Sequence, residues 1–371
     1  MKLNYKLGEL IRNIDVKNKD LHCNNLKGLS MTKEFRASTS NIVGTDLSKY
    51  KILAYKQFAC DFMSAIRVHK MPIAFNSEME EILVSPAYAV FEVIDENIIL
   101  PEYLMMWFRR SEFDRYADFR SDAAIRGGYG WNELCETEIK LPSLEEQRKK
   151  VQAYKTITDR IELKKKINDN LLDSVQAIFR SWFVDYDPFD GVCPSNWETG
   201  CVEDIAEFFD SMRKPLSSLE RTDMERIYPY YGAVSIVDYV DDYIFDGEYL
   251  LVSEDGIYVV DENGHPLIQH ISGKFWANNH AHILKGKSGF NEDSLYLFLA
   301  NTNMAPIVTG AAQPKINQAN LKNFPITTPD SETMLKFNNI IQPFFDQRLT
   351  NESEIKKLEA LQSLLLTRLV D

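Results

Sequence analysis

The chain has only five cysteines, Cys23, Cys60, Cys135, Cys193 and Cys201, odd in number and without a Cys-x-x-Cys pair. That argues against a disulfide framework or a zinc knuckle and fits a reducing compartment. No stretch approaches the roughly 18 uninterrupted apolar residues of a membrane span. The opening MKLNYKLGEL lacks the apolar run of a signal peptide. A soluble, cytoplasmic protein is therefore expected. An excess of basic charge is also missing: 42 Lys+Arg stand against 55 Asp+Glu, a net charge of −13. The deficit is local. Residues 191–330 carry 9 basic against 20 acidic side chains, while residues 1–142 carry 19 against 20. Net charge alone thus leaves a basic face possible elsewhere.

One long helical stretch, Leu144 through Phe183, organises the rest. Pro142-Ser143 marks its start, and Glu145 and Glu146 lie in the first turn, where acidic groups suit the helix dipole. Apolar and polar residues then alternate in steps of three and four through Ile157, Ile161, Lys164, Asn168, Leu171, Val175, Ile178 and Trp182. That spacing is a coiled-coil seam with a polar centre. Asp187-Pro188 and Gly191 end it.

The stretch recurs. A shift of 187 positions places Pro142 on Pro329, Glu145 on Glu332, Ile157 on Phe344, Leu171 on Leu358 and Ile178 on Leu365, without a gap. The shifted seam keeps Phe344, Ile355, Leu358, Leu365 and Leu369 apolar and Arg348, Asn351 and Gln362 polar. Two helices with matching polar centres read as partners, and Pro343 is expected to kink or divide the second. At 371 residues, two cores joined by helices are the natural expectation. The predicted plan is a first globule over 1–142, a helix and linker over 143–190, a second globule over 191–330 and a final helix over 331–371.

Within the first globule, strands are predicted at Lys51–Tyr55, Ala59–Val68, Glu81–Val84 and Ala87–Ile94, followed by an amphipathic helix over Glu102–Phe113. The second globule repeats the layout, with strands at Ala233–Tyr239, Glu248–Ser253, Gly256–Val260 and His280–Leu284 and a helix at Glu292–Ala300. Loops Arg126–Gly130 and Gly310–Asn317 take matching places.

Particular residues now carry a family likeness. Leu141-Pro-Ser-Leu-Glu-Glu-Gln147, Ser181-Trp-Phe-Val-Asp-Tyr-Asp-Pro-Phe189 and Trp197 resemble the specificity subunits of type I restriction-modification systems. Tyr228-Pro-Tyr-Tyr-Gly-Ala233, Asp246-Gly-Glu-Tyr-Leu-Leu251 and Glu254-Asp-Gly256 resemble a target-recognition domain of that family. The resemblance implies an α+β chain in which two target-recognition domains in tandem duplication are separated by two long helices forming an antiparallel coiled coil. It also implies a non-catalytic subunit that reads double-stranded DNA, each domain one half of a split site, with the helices setting the spacing. Two methyltransferase subunits, and in restriction two motor-nuclease subunits, are the implied partners. S-adenosylmethionine would bind the methyltransferase, with no cofactor in this chain. The major groove repeats about every 34–36 Å, so two readers need a fixed separation that a helical rod supplies and a flexible linker does not.

Arg and Lys suit phosphate and guanine, and Asn and Gln suit adenine edges. The candidate DNA-contacting residues of the first domain are Arg36, Ser38, Ser40, Lys56, Arg67, Arg126 and Tyr129. Those of the second are Lys214, Tyr230, Tyr231, Ser235, Asn278, Asn279, Gln313 and Lys315. Gly127-Gly128 and Gly310 permit close approach of backbone to a ligand.

Other motifs fall away. Lys285-Gly-Lys-Ser288 has the tail of a phosphate loop but Ala281 where its first glycine belongs. His280 and His282 lack a Cys or carboxylate pair nearby in sequence to complete a metal set. Glu138-Ile-Lys140, with Asp122 upstream, faintly resembles a nuclease pattern, but its counterpart is Pro325-Ile-Thr327. Neither Gly-x-Gly-x-x-Gly nor the Asn-Pro-Pro-aromatic motif of amino-methyltransferases occurs, which argues against methylation by this chain itself. The acidity of 191–330 supports a second reading, a protein–protein scaffold with no DNA partner.

Overall fold

The computed structural model describes residues 3–38, 44–63, 70–122, 129–256, 259–310 and 312–368. The chain divides into two compact units, Met1–Lys164 with Glu354–Asp371, and Lys165–Ser353. Each long helix therefore contributes to both units.

In the first unit the strands are β1 (Leu3–Lys6), β2 (Ile11–Ile14), β3 (Lys27–Leu29), β4 (Phe35–Ala37), β5 (Lys51–Leu53), β6 (Gln57–Cys60), β7 (Ile73–Phe75), β8 (Ile82–Val84), β9 (Ala89–Val93) and β10 (Glu138–Leu141). A four-stranded antiparallel sheet runs β2-β9-β6-β7, and β1·β10, β3·β4 and β5·β8 form separate pairs. Helix α1 (Pro101–Phe108) covers the sheet: Phe58 stacks on Phe91 at 5.0 Å, and Phe108 meets both rings edge-on. The expected single amphipathic helix is instead two, α1 and α2 (Ser111–Asp122), with the break at Arg109-Arg110. Only Glu102 of α1 escapes burial. The segment entering α1 is held by Gln147, which accepts a hydrogen bond from Leu100 N at 2.9 Å and donates to the Ile98 carbonyl at 3.0 Å, and Val151 and Tyr154 share its core. The short helix α3 (Trp131–Glu136) leads into β10.

Helix α4 covers Leu144–Phe183, as its pattern predicts. Ser143 and Glu146 cap it reciprocally, Ser143 N donating to the Glu146 carboxylate at 3.0 Å and Glu146 N to Ser143 Oγ at 3.3 Å. It closes with Val184 N and Asp185 N donating to the Arg180 carbonyl, and Tyr186, Asp190 and Gly191 beyond it take left-handed backbone.

The second unit has β11 (Glu198–Cys201), α5 (Val202–Ile205), β12 (Ala206–Phe208), α6 (Ser218–Thr222), β13 (Tyr228–Tyr231), β14 (Ile236–Val240), β15 (Phe245–Ser253), β16 (Ile268–Ala277), β17 (Ala281–Gly286), α7 (Glu292–Ala300), α8 (Gln318–Lys322) and β18 (Pro325–Thr328). One six-stranded sheet runs β12-β17-β15-β16-β13-β14. Of the predicted strand Gly256–Val260, the described residues form only an isolated bridge, Val260 to Pro266. The ten-residue β16 is a strand the pattern did not suggest. Gly247 and Gly273 face each other across β15 and β16, both at positive φ. With no side chains there, Phe245, Tyr249 and Phe275 close on one another, at 5.0–5.6 Å between ring centres.

The duplication is written in register. β1 and β10 pair antiparallel from Leu3↔Leu141 to Lys6↔Glu138, and β11 and β18 pair likewise from Glu198↔Thr328 to Cys201↔Pro325. Leu7 N donates to the Thr137 carbonyl at 2.9 Å, and Val202 N to the Phe324 carbonyl at 3.0 Å. Leu134 and Leu321 are fully buried at matching positions.

Helix α9 (Ser331–Thr367) runs unbroken past Pro343, so the proline does not divide it. The two long helices are antiparallel. In the first unit Gln362 donates to Thr158 at 2.8 Å, and Arg160 and Lys164 pair with Glu354. In the second, Asn351 donates to Asn168, and Val175 and Phe179 share a core with Phe337, Ile341 and Phe345. The predicted seam shifts here by one position: Phe179 and Phe345 are buried, whereas Ile178 and Phe344 are partly exposed. The reason is that these turns also pack on the globule, so steps of four replace the three-four alternation.

Candidate nucleic-acid interface

In the second unit the loop Thr309–Lys315 closes on itself, Thr309 N and Lys315 N each donating to the other's carbonyl at 2.8 Å. Gly310 has φ +86°, and a side chain there would sit 2.4 Å from the Gln313 carbonyl. Only glycine makes this turn. The loop is tied to the end of β15, with Ile316 N donating to the Glu254 carbonyl at 2.9 Å.

A buried ionic network lies beneath it. The Glu254 carboxylate accepts from Arg213 at 2.7 Å and Lys315 at 2.8 Å. Burial pushes this carboxyl up, but those two donors hold it below the ordinary glutamate value. Asp210 is likewise pushed up by burial and brought below its ordinary value by His282, Ile283 N and Arg213. His282 is fully buried, with Nδ1 2.6 Å from Asp210 and Nε2 2.9 Å from the Ile316 carbonyl. Asp210, Glu254 and His282 bring potential ligand atoms within 4.8 Å of one another. They do not fit a metal, since Arg213 and Lys315 already neutralise both carboxylates and both imidazole nitrogens face acceptors. The cluster is an anchor for the loop.

The network gathers six of the eight predicted residues of this unit along one edge. Gln313 is exposed at the loop tip, while the Lys315 ammonium is committed to Glu254. Asp255 bridges to Lys315 and accepts from His280 at 2.8 Å. Asn279 is exposed. Asn278 is mostly buried: its N donates to the Tyr231 carbonyl at 3.0 Å, and its side-chain oxygen accepts from His280 N. Tyr231 is half-buried, and Ser235 is exposed in the β13–β14 turn, its carbonyl accepting from Gly232 N. Lys214 is exposed, its carbonyl receiving the Trp276 indole N–H at 2.6 Å. Tyr230 is a correction. It is 2% exposed, its hydroxyl accepts from Leu216 N at 2.9 Å, and Arg221 covers its ring.

The first unit is less complete. Ser40, Arg67 and Arg126, with Gly127-Gly128, lie outside the described residues. Arg36 is exposed on β4, donating to the Leu29 carbonyl, and Ser38 is half-buried just beyond it. Lys56 holds left-handed backbone and pairs with Glu96 at 2.5 Å, a hydrogen bond that raises its ammonium's pKa. Tyr129 is a second correction: it is buried, its hydroxyl meets Thr137 Oγ1 at 2.8 Å, and burial drives its pKa far up. Neither buried tyrosine is available to a duplex.

Sequence reasoning missed Arg213, Asp210 and Glu254 as a set, because 44 to 72 residues separate Asp210 from its partners Glu254 and His282 in the chain. The spacing of His280 and His282 in the predicted strand His280–Leu284 was the one signal. Among the described residues no helix is long and apolar enough to cross a membrane.

Known proteins match at several levels. Residues 194–361 match the family model of the type I restriction modification DNA specificity domain. A putative type I restriction enzyme specificity subunit of Haemophilus influenzae is 38% identical over 128 residues, 34% of this chain and 32% of the relative. A type I restriction enzyme specificity subunit of Methanocaldococcus jannaschii is 24% identical over 303 residues, 75% of this chain and 70% of the relative. The chain thus spans about a third of the Haemophilus protein's length and over two thirds of the other's. The crystal structure of a type I restriction-modification S subunit from M. genitalium aligns over 100% of this chain and 96% of its own, with a TM-score of 0.59 at 13% identity. That likeness establishes the fold.

Proposed function

We propose, for a chain that belongs to the specificity subunits of type I restriction-modification systems, that it reads a bipartite DNA sequence and performs no chemistry itself. Residues 1–142 and 191–330 act as the two target-recognition domains, one for each half-site. The helical segments 143–190 and 331–371 set the gap between half-sites and dock two adenine methyltransferase subunits, which bind the S-adenosylmethionine. Motor-nuclease subunits join when the complex restricts. The work is done on double-stranded DNA in the cytoplasm.

The observation that supports this most is the duplication itself: the same four-residue strand pairing leads into a long helix twice. A two-part target calls for two readers of one design. The loop edge of the second unit adds exposed amide side chains, Asn279 and Gln313, suited to adenine edges. The acidity of 191–330 is partly consumed internally, since Asp210, Glu254 and Asp238 each pair with cations of the same unit.

The test is DNA binding by the chain reconstituted with its methyltransferase, across a salt series. A reader of phosphates and bases weakens steeply as salt rises and prefers one sequence. Equal binding to random duplexes at every salt concentration would refute the proposal and leave a protein scaffold as the reading.

A further inference from the structure

The β13–β14 hairpin is the feature the loop edge does not account for. β14 is the last strand of the sheet, and β13 joins β16 only through Tyr230 and Tyr231. Beyond that point the ribbon carries exposed apolar side chains: Val234 is 49% exposed, Ile236 40% and Val237 57%, while Tyr239, 40% exposed, lies opposite Pro229 on the other side of the junction. Apolar side chains gathered at the tip of a ribbon offer a contact surface. The tip is nonetheless held firmly. Gln269 donates to the Gly232 and Ala233 carbonyls at 3.1 and 3.2 Å. Any side chain at Gly232 would collide with Val237, 2.6 Å away, and lie 3.6 Å from Asn278. The tip therefore continues the edge that holds Asn278, Asn279 and Gln313.

The charges agree. Asp238, on β14, is neutralised by Arg221 at 3.0 Å and approached by Arg226 at 3.8 Å. Asp241 and Asp242 follow β14 at the end away from the turn. The turn itself, Gly232–Ser235, carries no charge.

Resting on the DNA-reading role proposed above, we infer that the β13–β14 ribbon enters the major groove and that Val234 and Val237 read thymine methyl groups. The major groove, about 12 Å wide, admits a two-stranded β-ribbon. The thymine C5 methyl is the apolar feature on its floor, and it matches side chains that offer no hydrogen bond. A guanine or cytosine edge against the same residues would be left with unmet polar groups.

The experiment uses the chain reconstituted with its methyltransferase and the duplex that this complex methylates, with each thymine replaced in turn by deoxyuridine, which lacks only the methyl. The wild-type complex should bind about fourfold more weakly when a methyl is lost at one or two positions of a single half-site, the worth of one buried methyl group. V234S and V237S should abolish that discrimination while preference at the other positions persists. Both positions lie at the surface, and the milder V234A and V237A guard against misfolding. Thymine/uracil discrimination that survives in these variants overturns the inference while leaving sequence reading intact, as does a pair of half-sites without thymine. Variants that fail to assemble with the methyltransferase overturn it too, and make the ribbon a protein contact. Absence of any sequence preference in the wild-type complex instead sinks the DNA-reading role itself.

Discussion

Asn351 donates its side-chain amide to Asn168 Oδ1 at 2.8 Å, between the two long helices, and is itself 2% exposed. Its own oxygen accepts from Gln347 at 3.1 Å. A buried amide in a helical seam costs stability relative to an aliphatic residue but fixes which register the helices adopt. Asn351→Leu should therefore raise the unfolding free energy by about 1 kcal/mol. Asn351→Asp should lower stability by about 3 kcal/mol, since it sets a buried carboxylate against the Asn168 side-chain oxygen. Urea titrations of both variants check this; a stabilising Asp would contradict it.

Val175 is fully buried beside Phe179, Phe337 and Phe345, whereas Leu171 and Leu358 are only half-buried. Val175→Asp should cost about 3 kcal/mol or more and abolish methylation by the assembled complex. Leu171→Asp and Leu358→Asp should cost about 1–2 kcal/mol, because water reaches the new carboxylate. Thermal melts and methylation assays on the three variants give the ranking, and equal effects would count against this packing.

Glu254 joins Arg213 and Lys315 beneath the Thr309–Lys315 loop. Glu254→Gln removes the charge that both cations face and should destabilise the second unit by about 2–4 kcal/mol. Because the network lies wholly within that unit, the recognised sequence should change in one half-site only. Methylome sequencing of cells expressing the variant would reveal it; changes in both halves would show that the loop does not act locally.

Burial pushes the Asp293 carboxyl up to about 7, helped by Glu248, Asp346 and Glu292, and pushes the His270 imidazole down to about 4, helped by Arg348. The two face each other at 3.5 Å. Asp293 binds its proton more tightly folded than unfolded, so its contribution is fully present below about pH 4 and lost as pH rises through 7. His270 binds its proton less tightly when folded, so its contribution is present above about pH 6.5 and lost as pH falls through 4. Between these limits the opposing slopes largely cancel. Asp293→Asn leaves the histidine alone, so the variant should gain stability with rising pH from about 4 to 6.5, on the order of 2 kcal/mol. Unfolding midpoints of both proteins from pH 4.5 to 7.5 test the sign.

The sequence made the helices and the duplication legible because both rest on local, repeated signals. Leu144–Phe183 announced its ends by Ser143 and Gly191 and its faces by spacing. β16 escaped because Gln269, His270, Ser272, Gly273 and Lys274 break its alternation. What keeps it a strand is pairing with β15 along eight residues and the glycine pair that lets the sheet curl, neither of which is visible in one segment. Tyr129 and Tyr230 read as surface aromatics beside glycine-bearing turns; their hydroxyls are spent on Thr137 and Leu216, partners that only the fold brings near. The ionic anchor under the candidate loop was hidden for the same reason.

The most direct test of the two-reader account is methylome sequencing of cells expressing this chain with its methyltransferase, before and after one heptad is inserted into each long helix. Seven residues add about 10 Å of helix, close to three base pairs. The account predicts two unchanged half-sites separated by a longer fixed gap. Altered half-sites, or a continuous target with no gap in the parent protein, would contradict it.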